Sequence, residues 1–231
     1  MEESAKRTVI IITNYNYGIY LDDCLKSCQN QGADIVLVDD ASTDNSIMIA
    51  EKYGIRIIRL PVNAGYSHAK NIGIKATDKE FIVHLDADDI LTEGSVAVRL
   101  AEFDKDPSLD MVHGLVYRYR DGKIDGYNKK SKIHAQGVMI RKRVYEKHGY
   151  YDEEMRSKSD KLMWYKLGVH PSSPFKPLIK VKKIKMFVAL YRKHSEQMHK
   201  KRRDNKMYNE QIKALFNKKA KEYEAVYSVR N

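Results

Sequence analysis

The first ninety residues alternate short apolar runs with stretches that suit helices. The runs are rich in β-branched residues and fit buried strands at residues 8–13, 35–38, 55–60 and 81–85. Helix starts are expected near Asp44 and near residues 64–65, which follow turn-forming residues. This alternation is typical of βαβ units and predicts an α/β fold with a mostly parallel sheet. In such sheets, ligands bind at the carboxyl ends of the strands.

Polar side chains follow each predicted strand. In chain order they are Asn14, Tyr15 and Asn16, then Asp39 and Asp40, then residues 63–65, and finally Asp86, Asp88 and Asp89. Three carboxylates so close together raise one another's pKa, and a divalent cation relieves their repulsion. Because the side-chain ligands are oxygens, the predicted cation is Mg2+ or Mn2+. A solvated acidic turn after a strand is the alternative interpretation.

The charge is distributed unevenly along the 231 residues, whose net charge is +11. Residues 1–115 carry 11 Lys and Arg against 19 Asp and Glu, a net charge of −8, whereas the remainder carries 31 against 12, a net charge of +19. An acidic half suits a metal-bridged nucleoside diphosphate, and a basic half suits a polyanion. The basic runs at 180–185 and 200–203 are the candidate polyanion-binding face, with solvated lysines as the alternative.

The expected location is the cytoplasm. No apolar run is long enough to span a bilayer, and the first residues lead into a strand without a signal peptide, so we expect a soluble protein. Cys24 and Cys28 are spaced to share one helix face but have no partners for a zinc site. They are predicted to be reduced packing residues.

Four segments in a fixed order resemble those of the family 2 glycosyltransferases, which have the GT-A fold. They are a T-x-Y-N-like segment at 13–16, V-D-D-x-S-x-D at 38–44, N-x-G-x-x-x-A-(R/K)-N at 63–71 and D-x-D-D at 86–89. A GxGxxG dinucleotide fingerprint is absent, which argues against a nicotinamide enzyme. The resemblance extends over about residues 7–170.

The resemblance implies a GT-A domain over residues 1–175, with a Rossmann-like, mostly parallel sheet flanked by helices. A basic, helical C-terminal extension over residues 176–231 is expected to follow. Apolar residues at spacings of three and four over 204–227 predict a terminal amphipathic helix in it. This helix would pack on the core or on a partner subunit, so a homo-oligomer is one expectation.

The resemblance also implies a set of residues that bind a UDP-sugar donor. They are Thr13, Asn14, Tyr15, Asp40, Gly65, Lys70 and Asp86. Asp40 would accept a hydrogen bond from the uracil N–H, and Tyr15 would stack on the base. Lys70 would reach the diphosphate, unless it is simply solvated. For Asp39 and Asp44 we prefer structural roles, in a turn and in a helix N-cap.

The same resemblance assigns ribose contact to Asp86 and metal binding to Asp88, with Asp89 and His194 as further candidate ligands. The alternative for Asp89 is a hydrogen bond with neighbouring backbone amides. His194 lies in the segment Tyr191-Arg192-Lys193-His194, which is similar to an R-x-H element that some members use near the metal or the diphosphate. A structural histidine is the alternative. The cation would bridge the phosphates and stabilise the charge that develops as the sugar–phosphate bond breaks.

Asp160 is the candidate general base. Segments at 137–141 and 149–153 resemble those that precede the catalytic carboxylate in the family, and residues 160–167 resemble its D-x-x-x-W segment. Attack from the opposite face of the sugar would invert the anomeric centre. Family members often have Glu-Asp at this point, where this chain has Ser159-Asp160. The alternative role for Asp160 is the N-cap of a helix over 162–167.

The implied function is an inverting, metal-dependent glycosyltransferase that moves one hexosyl or pentosyl unit from a UDP-sugar to an acceptor hydroxyl. The basic half suits a polyanionic acceptor, such as hydroxylated DNA or an anionic glycan or polymer, and of these DNA is preferred because no membrane anchor or secretion signal is seen. A nucleic-acid-binding protein with a catalytically idle GT-A domain is the alternative. Aromatic residues of the basic half would stack on an extruded base or lie in the core: Tyr117, Tyr119, Tyr127, Tyr145, Tyr150, Tyr151 and Trp164.

Overall fold

The computed structural model describes residues 7–127, 133–195, 197 and 206–228. Within this part of the chain, nine strands form a single sheet. The strands are β1 (Thr8–Asn14), β2 (Asp34–Asp39), β3 (Arg56–Arg59), β4 (Phe81–Asp86), β5 (Ile90–Leu91), β6 (Met111–Arg120), β7 (Lys123–Tyr127), β8 (Val138–Arg141) and β9 (Val181–Arg192). Their order is β3-β2-β1-β4-β8-β6-β9-β5, and β7 pairs with β6 at the side.

Helices cover both faces of this sheet. They are α1 (Gly18–Gln29), α2 (Ser46–Glu51), α3 (Tyr66–Lys75), α4 (Ser95–Lys105), α5 (Lys142–His148), α6 (Ser159–Lys166) and α7 (Lys206–Ser228), and a 3-10 turn spans Ala135–Gly137. None of the helices in the described ranges combines the length and apolarity needed to cross a membrane.

The four strands predicted in the first ninety residues are confirmed, and they pair in parallel. β1 lies between β2 and β4, and β3 pairs with β2. Side chains alternate across β1, so that Val9 and Ile11 enter the core on one face while Ile10 and Ile12 enter the core on the other. A strand buried on both faces is expected to be apolar, and residues 9–12 at the centre of β1 are.

One core layer contains α1 and α4, and the other contains α3, α5 and α6. Cys24 and Cys28 are free thiols on the buried face of α1, and the prediction of reduced packing residues is confirmed. Asp44 supports two helix starts: its Oδ1 accepts a hydrogen bond from the Ser46 amide at 3.0 Å, and its Oδ2 accepts one from the Gly18 amide at 2.9 Å. Asn45 occupies the N-cap position of α2, so the predicted N-cap role of Asp44 is wrong by one residue, although its carboxylate does bond to the first turn of that helix.

Beyond β4 the sheet is mixed. β8 is antiparallel to β4 and to β6, whereas β9 is parallel to β6 and antiparallel to β5. β9 lies after residue 175, and it buries Ile184, Val188 and Ala189 in the core layer of α1 and α4. The sheet thus extends across the predicted boundary at residue 175. The division into two segments stays a prediction.

The terminal helix α7 packs against the same chain. Phe216 and Ala220 are buried against Met155, Leu162 and Tyr165 around α6. This is the first of the two predicted alternatives for the helix, and assembly into oligomers stays a prediction. The basic run at 200–203 lies outside the described residues, so the structure does not bear on it.

Candidate functional site

A cavity of about 570 Å3 opens at the carboxyl ends of β1, β2 and β4. Its volume is within the range of small-molecule sites, roughly 300–1,000 Å3. The predicted site residues that line it are Thr13, Asn14, Tyr15, Asp40, Gly65, Asp86, Asp88 and Asp160. The other three, Lys70, Asp89 and His194, lie behind the wall and contact Asp160, Arg192 and Asp88 respectively.

Asn14 and Asp39 order the loops at the ends of β1 and β2. The Asn14 amide donates hydrogen bonds to Asp39 Oδ1 at 2.8 Å and to Ser42 Oγ at 3.0 Å. The Ser42 amide and hydroxyl both donate to the same Asp39 carboxylate, at 2.9 and 2.6 Å. Asp39 therefore has the turn-forming role that was preferred for it. Asn14 is held in place by this network at the floor of the cavity.

Asp40 joins the end of β2 to the start of α3. Its two carboxylate oxygens accept hydrogen bonds from the amides of Ala64 and Gly65, each at 2.8 Å. Gly65 has φ of 97°, in a region that residues with a Cβ rarely adopt. The glycine thus lets α3 begin at the cavity wall. Tyr15 stands at the rim with 44% of its surface exposed. Contact of Asp40 and Tyr15 with a base stays a prediction.

Three carboxylates converge after β4. One oxygen from each of Asp86, Asp88 and Asp89 lies within 4.8 Å of the others. Asp86 Oδ1 accepts a hydrogen bond from the Tyr66 hydroxyl at 2.8 Å, and Oδ2 accepts one from the Gln136 amide at 3.1 Å. Burial raises the pKa of Asp86 to about 6, and the neighbouring Asp88 adds to the effect.

Asp89 shows that this cluster suits a cation. Its Oδ1 accepts a hydrogen bond from the Arg192 amide at 2.8 Å, but its buried Oδ2 has no hydrogen-bond partner in the part of the chain that the structure describes. Burial, and then the charges of Asp88 and Asp86, raise the pKa of Asp89 well above its usual range. An oxygen-rich cluster with such an orphaned carboxylate oxygen fits Mg2+ or Mn2+.

The end of β9 supports the cluster from behind. Arg192 Nε donates to the Asp88 carbonyl at 2.9 Å, and Nη2 donates to Asp23 Oδ2 at 2.9 Å. His194 Nε2 lies 2.9 Å from Asp88 Oδ2, and its ring lies 4.3 Å from that of Tyr20 between centroids. The predicted R-x-H element therefore does approach the carboxylates. A direct bond from His194 to a metal stays a prediction.

Asp160 faces the cavity from the first turn of α6. Its Oδ1 accepts a hydrogen bond from Lys70 Nζ at 2.7 Å, and its Oδ2 lies 3.4 Å from the Tyr66 hydroxyl. Lys158 occupies the capping position of α6, so Asp160 is not the N-cap. Lys70 is fully buried and does not line the cavity, because its ammonium group is bonded to Asp160. This placement argues against the predicted contact of Lys70 with a diphosphate.

Much of the aromatic and basic character predicted for polyanion binding serves the fold instead. Tyr145, Tyr151 and Trp164 are buried in the core. Lys180 pairs with Asp106 at 2.9 Å, and Lys182 lies 3.7 Å from Glu102. In contrast, Lys183 and Lys185 have no acidic partner among the described residues. Any polyanion-binding face on this strand is therefore smaller than the run of lysines suggests.

The cavity and the carboxylate cluster also include residues that were missed from the sequence, of which three make or approach the key contacts. Tyr66 occupies a variable position of the N-x-G segment, and its hydroxyl contacts both Asp86 and Asp160. Gln136 lies one residue before the segment at 137–141 and belongs to no motif itself. Arg156 lines the cavity from the loop before α6. Only Tyr66 had a signal, namely its place four residues before Lys70, on the same face of a helix.

The chain is similar to known glycosyltransferases in sequence. Residues 9–168 match the family model described as Glycosyl transferase family 2. Glycosyltransferase GlyG of Streptococcus pneumoniae is 32% identical over 118 residues, which cover 48% of this chain and 39% of GlyG. The teichoic acid poly(glycerol phosphate) polymerase of Staphylococcus epidermidis is 31% identical over 112 residues, which cover 45% of this chain and 16% of the polymerase. The chain thus matches less than half the length of either relative.

Solved structures show the same fold. Residues 1–349 of S. aureus TarS in complex with UDP-GlcNAc superpose with a TM-score of 0.67 at 20% identity, covering 84% of this chain and 60% of that one. The mannosyltransferase PcManGT of Pyrobaculum calidifontis, in complex with GDP-Man and Mn2+, gives a TM-score of 0.64 at 14% identity, covering 85% and 59%. The predicted GT-A fold is confirmed by these similarities.

Proposed function

The chain belongs to glycosyltransferase family 2, and on this basis we propose that it transfers one sugar from a UDP-sugar to an acceptor hydroxyl, with inversion. One observation carries the proposal. The carboxylates of Asp86 and Asp88 and that of Asp160 line the same cavity at the carboxyl ends of the strands. A nucleoside diphosphate sugar needs a cation site for its phosphates and a base for the incoming hydroxyl, and these carboxylates supply both.

The nucleoside would bind on the side of β1 and β2. Each oxygen of Asp40 uses one lone pair on a backbone amide, so a second lone pair remains for the N–H of uracil. Tyr15 would stack on the base. Thr13, Asn14 and Gly65 would contact the nucleoside, because their loops form the cavity wall on this side. The structure of TarS in complex with UDP-GlcNAc supports uracil as the base of the donor. PcManGT was solved in complex with GDP-Man, so a guanine nucleotide is tested as well.

Asp88 and Asp89 would hold the cation, with His194 beside Asp88, and Asp86 would contact the ribose. When bound, Mg2+ or Mn2+ would stabilise the negative charge that develops on the diphosphate leaving group. The Mn2+ in PcManGT supports a divalent cation here. Gln136 and Tyr66 hold Asp86 in place from both of its oxygens, so this carboxylate is oriented before the donor arrives.

Asp160 would act as the general base. Its carboxylate takes the proton of the acceptor hydroxyl as that oxygen bonds to the anomeric carbon from the face opposite the diphosphate. The bond between the anomeric carbon and the phosphate oxygen breaks, and its electron pair leaves with UDP. The product is a glycoside of inverted configuration and a protonated Asp160.

For the acceptor, we favour an anionic glycan or a polyol phosphate polymer. The name of the Staphylococcus epidermidis relative points to teichoic acid, and the basic half of the chain, with its net charge of +19, suits such a polymer. DNA is the second candidate acceptor because the same positive charge would attract it. The alternative function is a nucleic-acid-binding protein whose GT-A domain has no catalytic activity. The burial of Tyr145, Tyr151 and Trp164 weakens the case for stacking on an extruded base.

The test is the release of nucleoside diphosphate from a panel of donors. UDP-GlcNAc, UDP-glucose, UDP-galactose and GDP-mannose are incubated with the protein and Mn2+, Mg2+ or EDTA, alone and with poly(glycerol phosphate) or duplex DNA. We expect metal-dependent release of UDP, accelerated by the polymer. Absence of release from every donor would overturn the transferase proposal. Retardation of duplex DNA in a gel without such release would favour the binding alternative, and no retardation at low salt would remove DNA.

A further inference from the structure

We propose that Lys70 and Tyr66 are positioning residues for Asp160, and that Oδ2 of Asp160 is the oxygen that takes up the acceptor proton. This inference rests on the proposed function, because it assigns roles around the base of that reaction. It concerns the face of α3 that meets α6. Neither residue was predicted for this role.

Lys70 has a fully buried ammonium group. Its Nζ lies 2.7 Å from Asp160 Oδ1, and it also lies over the rings of Tyr66 and Tyr151, 4.3 and 4.9 Å from their centroids. A buried ammonium needs an anionic partner, and the hydrogen bond that joins two charged groups is short and directional. One oxygen of Asp160 is therefore held inside the wall, while 25% of the Asp160 side chain remains exposed.

Tyr66 lies one helical turn before Lys70 and contacts the other oxygen. Its hydroxyl is 2.8 Å from Asp86 Oδ1 and 3.4 Å from Asp160 Oδ2. A hydroxyl has one proton to donate, and the shorter contact shows that it goes to Asp86. Oδ2 of Asp160 is then adjacent to Tyr66 but does not receive its proton. This oxygen retains the capacity to accept a proton from a hydroxyl in the cavity.

The two contacts define the rotation of the Asp160 carboxylate. Lys70 holds Oδ1, and the Tyr66 hydroxyl lies beside Oδ2 while it bonds to Asp86 on the same side of the cavity. A base that is oriented in advance gives a larger rate than one that rotates freely, because the reactive geometry is reached without an entropy cost. α3 thus connects the donor side of the cavity to the base.

The experiment measures hydrolysis, in which water replaces the unidentified acceptor. The probe is Mn2+-dependent release of UDP from UDP-GlcNAc, or from whichever donor of the panel is hydrolysed fastest, with UDP affinity measured by calorimetry. We expect Lys70→Met to lower kcat by about 10- to 100-fold, as for a lost charge-assisted hydrogen bond, with the donor KM and the UDP affinity little changed. Lys70→Arg should restore part of the loss. Tyr66→Phe should lower kcat by less, about 3- to 10-fold.

A double variant separates positioning from a general structural role. If Lys70 acts through Asp160, Lys70→Met should cost nothing further once Asp160→Asn is present, because residues that act as a unit are not additive. Lys75→Met is the matched control, since Lys75 lies exposed at the end of the same helix. It should retain the wild-type kcat.

The outcomes distinguish this inference from the proposed function. Wild-type turnover in Asp160→Asn would overturn the base assignment itself. Impaired Asp160→Asn together with an unchanged kcat in Lys70→Met, or additive losses in the double variant, would overturn the positioning role and leave the transferase intact. If thermal denaturation shows that Lys70→Met does not fold, Tyr66→Phe decides, and wild-type kcat in that variant would overturn the inference.

Discussion

The two walls of the cavity are built in different ways. The donor wall comes from the ends of β1, β2 and β4 and the start of α3, all within residues 13–89. The opposite wall is assembled from α6 and from the end of β9, which are far apart in the chain. Adjacent parallel strands place their ends side by side, so the first wall follows from a local pattern. The second wall requires packing between distant segments.

The walls also differ in how their polar groups are satisfied. On the donor wall, Asp39 accepts a hydrogen bond from the backbone of Ser42 in the same loop, and Asp40 accepts them from the backbone at the start of α3. On the opposite wall, Asp160 bonds to Lys70 of α3, and Arg192 bonds to the Asp88 carbonyl. Contacts of this second kind connect the walls. We therefore expect substitutions on the donor wall to affect nucleotide binding, and substitutions across the walls to affect turnover.

The largest expected effect tests the carboxylate cluster where the two walls meet. Asp88→Asn removes a negative ligand from the proposed cation site, so metal-dependent release of UDP should fall by more than about 100-fold. Thermal denaturation should show a folded protein. The Arg192 side chain bonds to the backbone carbonyl of residue 88, and this hydrogen bond does not depend on the carboxylate. Asp78→Asn, at an exposed position, is the control. Activity within a few-fold of wild type would remove the metal assignment.

The second prediction isolates the base. Asp160→Asn keeps the shape of the side chain but loses its basicity, so kcat should fall by roughly 10²- to 10⁴-fold, the usual contribution of general-base catalysis. Donor affinity, measured by calorimetry with UDP, should be preserved because Asp160 lies on the wall opposite the nucleoside. A collapse of UDP affinity in this variant would mean that the two walls are not separate in function.

The third prediction isolates the donor wall. Asp40→Ala removes a carboxylate that orders Ala64 and Gly65 and that is proposed to recognise uracil. UDP affinity should fall by about 10- to 100-fold, as for a lost hydrogen bond to a charged group. The melting temperature should change less than the affinity does. Calorimetry that shows unchanged UDP affinity would refute the assignment of Asp40.

The smallest effect concerns the lysines in the first half of β9, which do not line the cavity. Lys183 and Lys185 are compared with Lys180 and Lys182, which already have acidic partners. Substitution of the first pair by Gln should weaken binding of poly(glycerol phosphate). The slope of the logarithm of affinity against the logarithm of salt concentration should decrease by about 1–2, because fewer counterions are released. The same change in the second pair should have less effect. If the two double substitutions weaken polymer binding equally, ion pairing with acidic side chains does not determine which lysines bind the polymer.

Local patterns in the sequence predicted much of the molecule. The first four strands, the reduced state of the two cysteines, the turn role of Asp39 and a helix start near Asp44 were predicted correctly. So was the convergence of three carboxylates after β4. These features depend on the period of side chains along a strand and on hydrogen bonds to nearby backbone. Both act over a few residues, so the sequence contains them directly.

Other features were decided by the tertiary structure. Lys70 was expected at the diphosphate, but α6 brings Asp160 to its ammonium group, and a buried charge pairs with the nearest opposite charge. Gln136 reaches Asp86 because β8 lies beside β4, and β9 belongs to the sheet because it pairs with β6. Each of these contacts joins residues more than 45 positions apart. No local period in the sequence encodes such pairings, so only packing across the sheet decided the partners of the base. The donor wall, in contrast, follows from local patterns that the sequence alone determined.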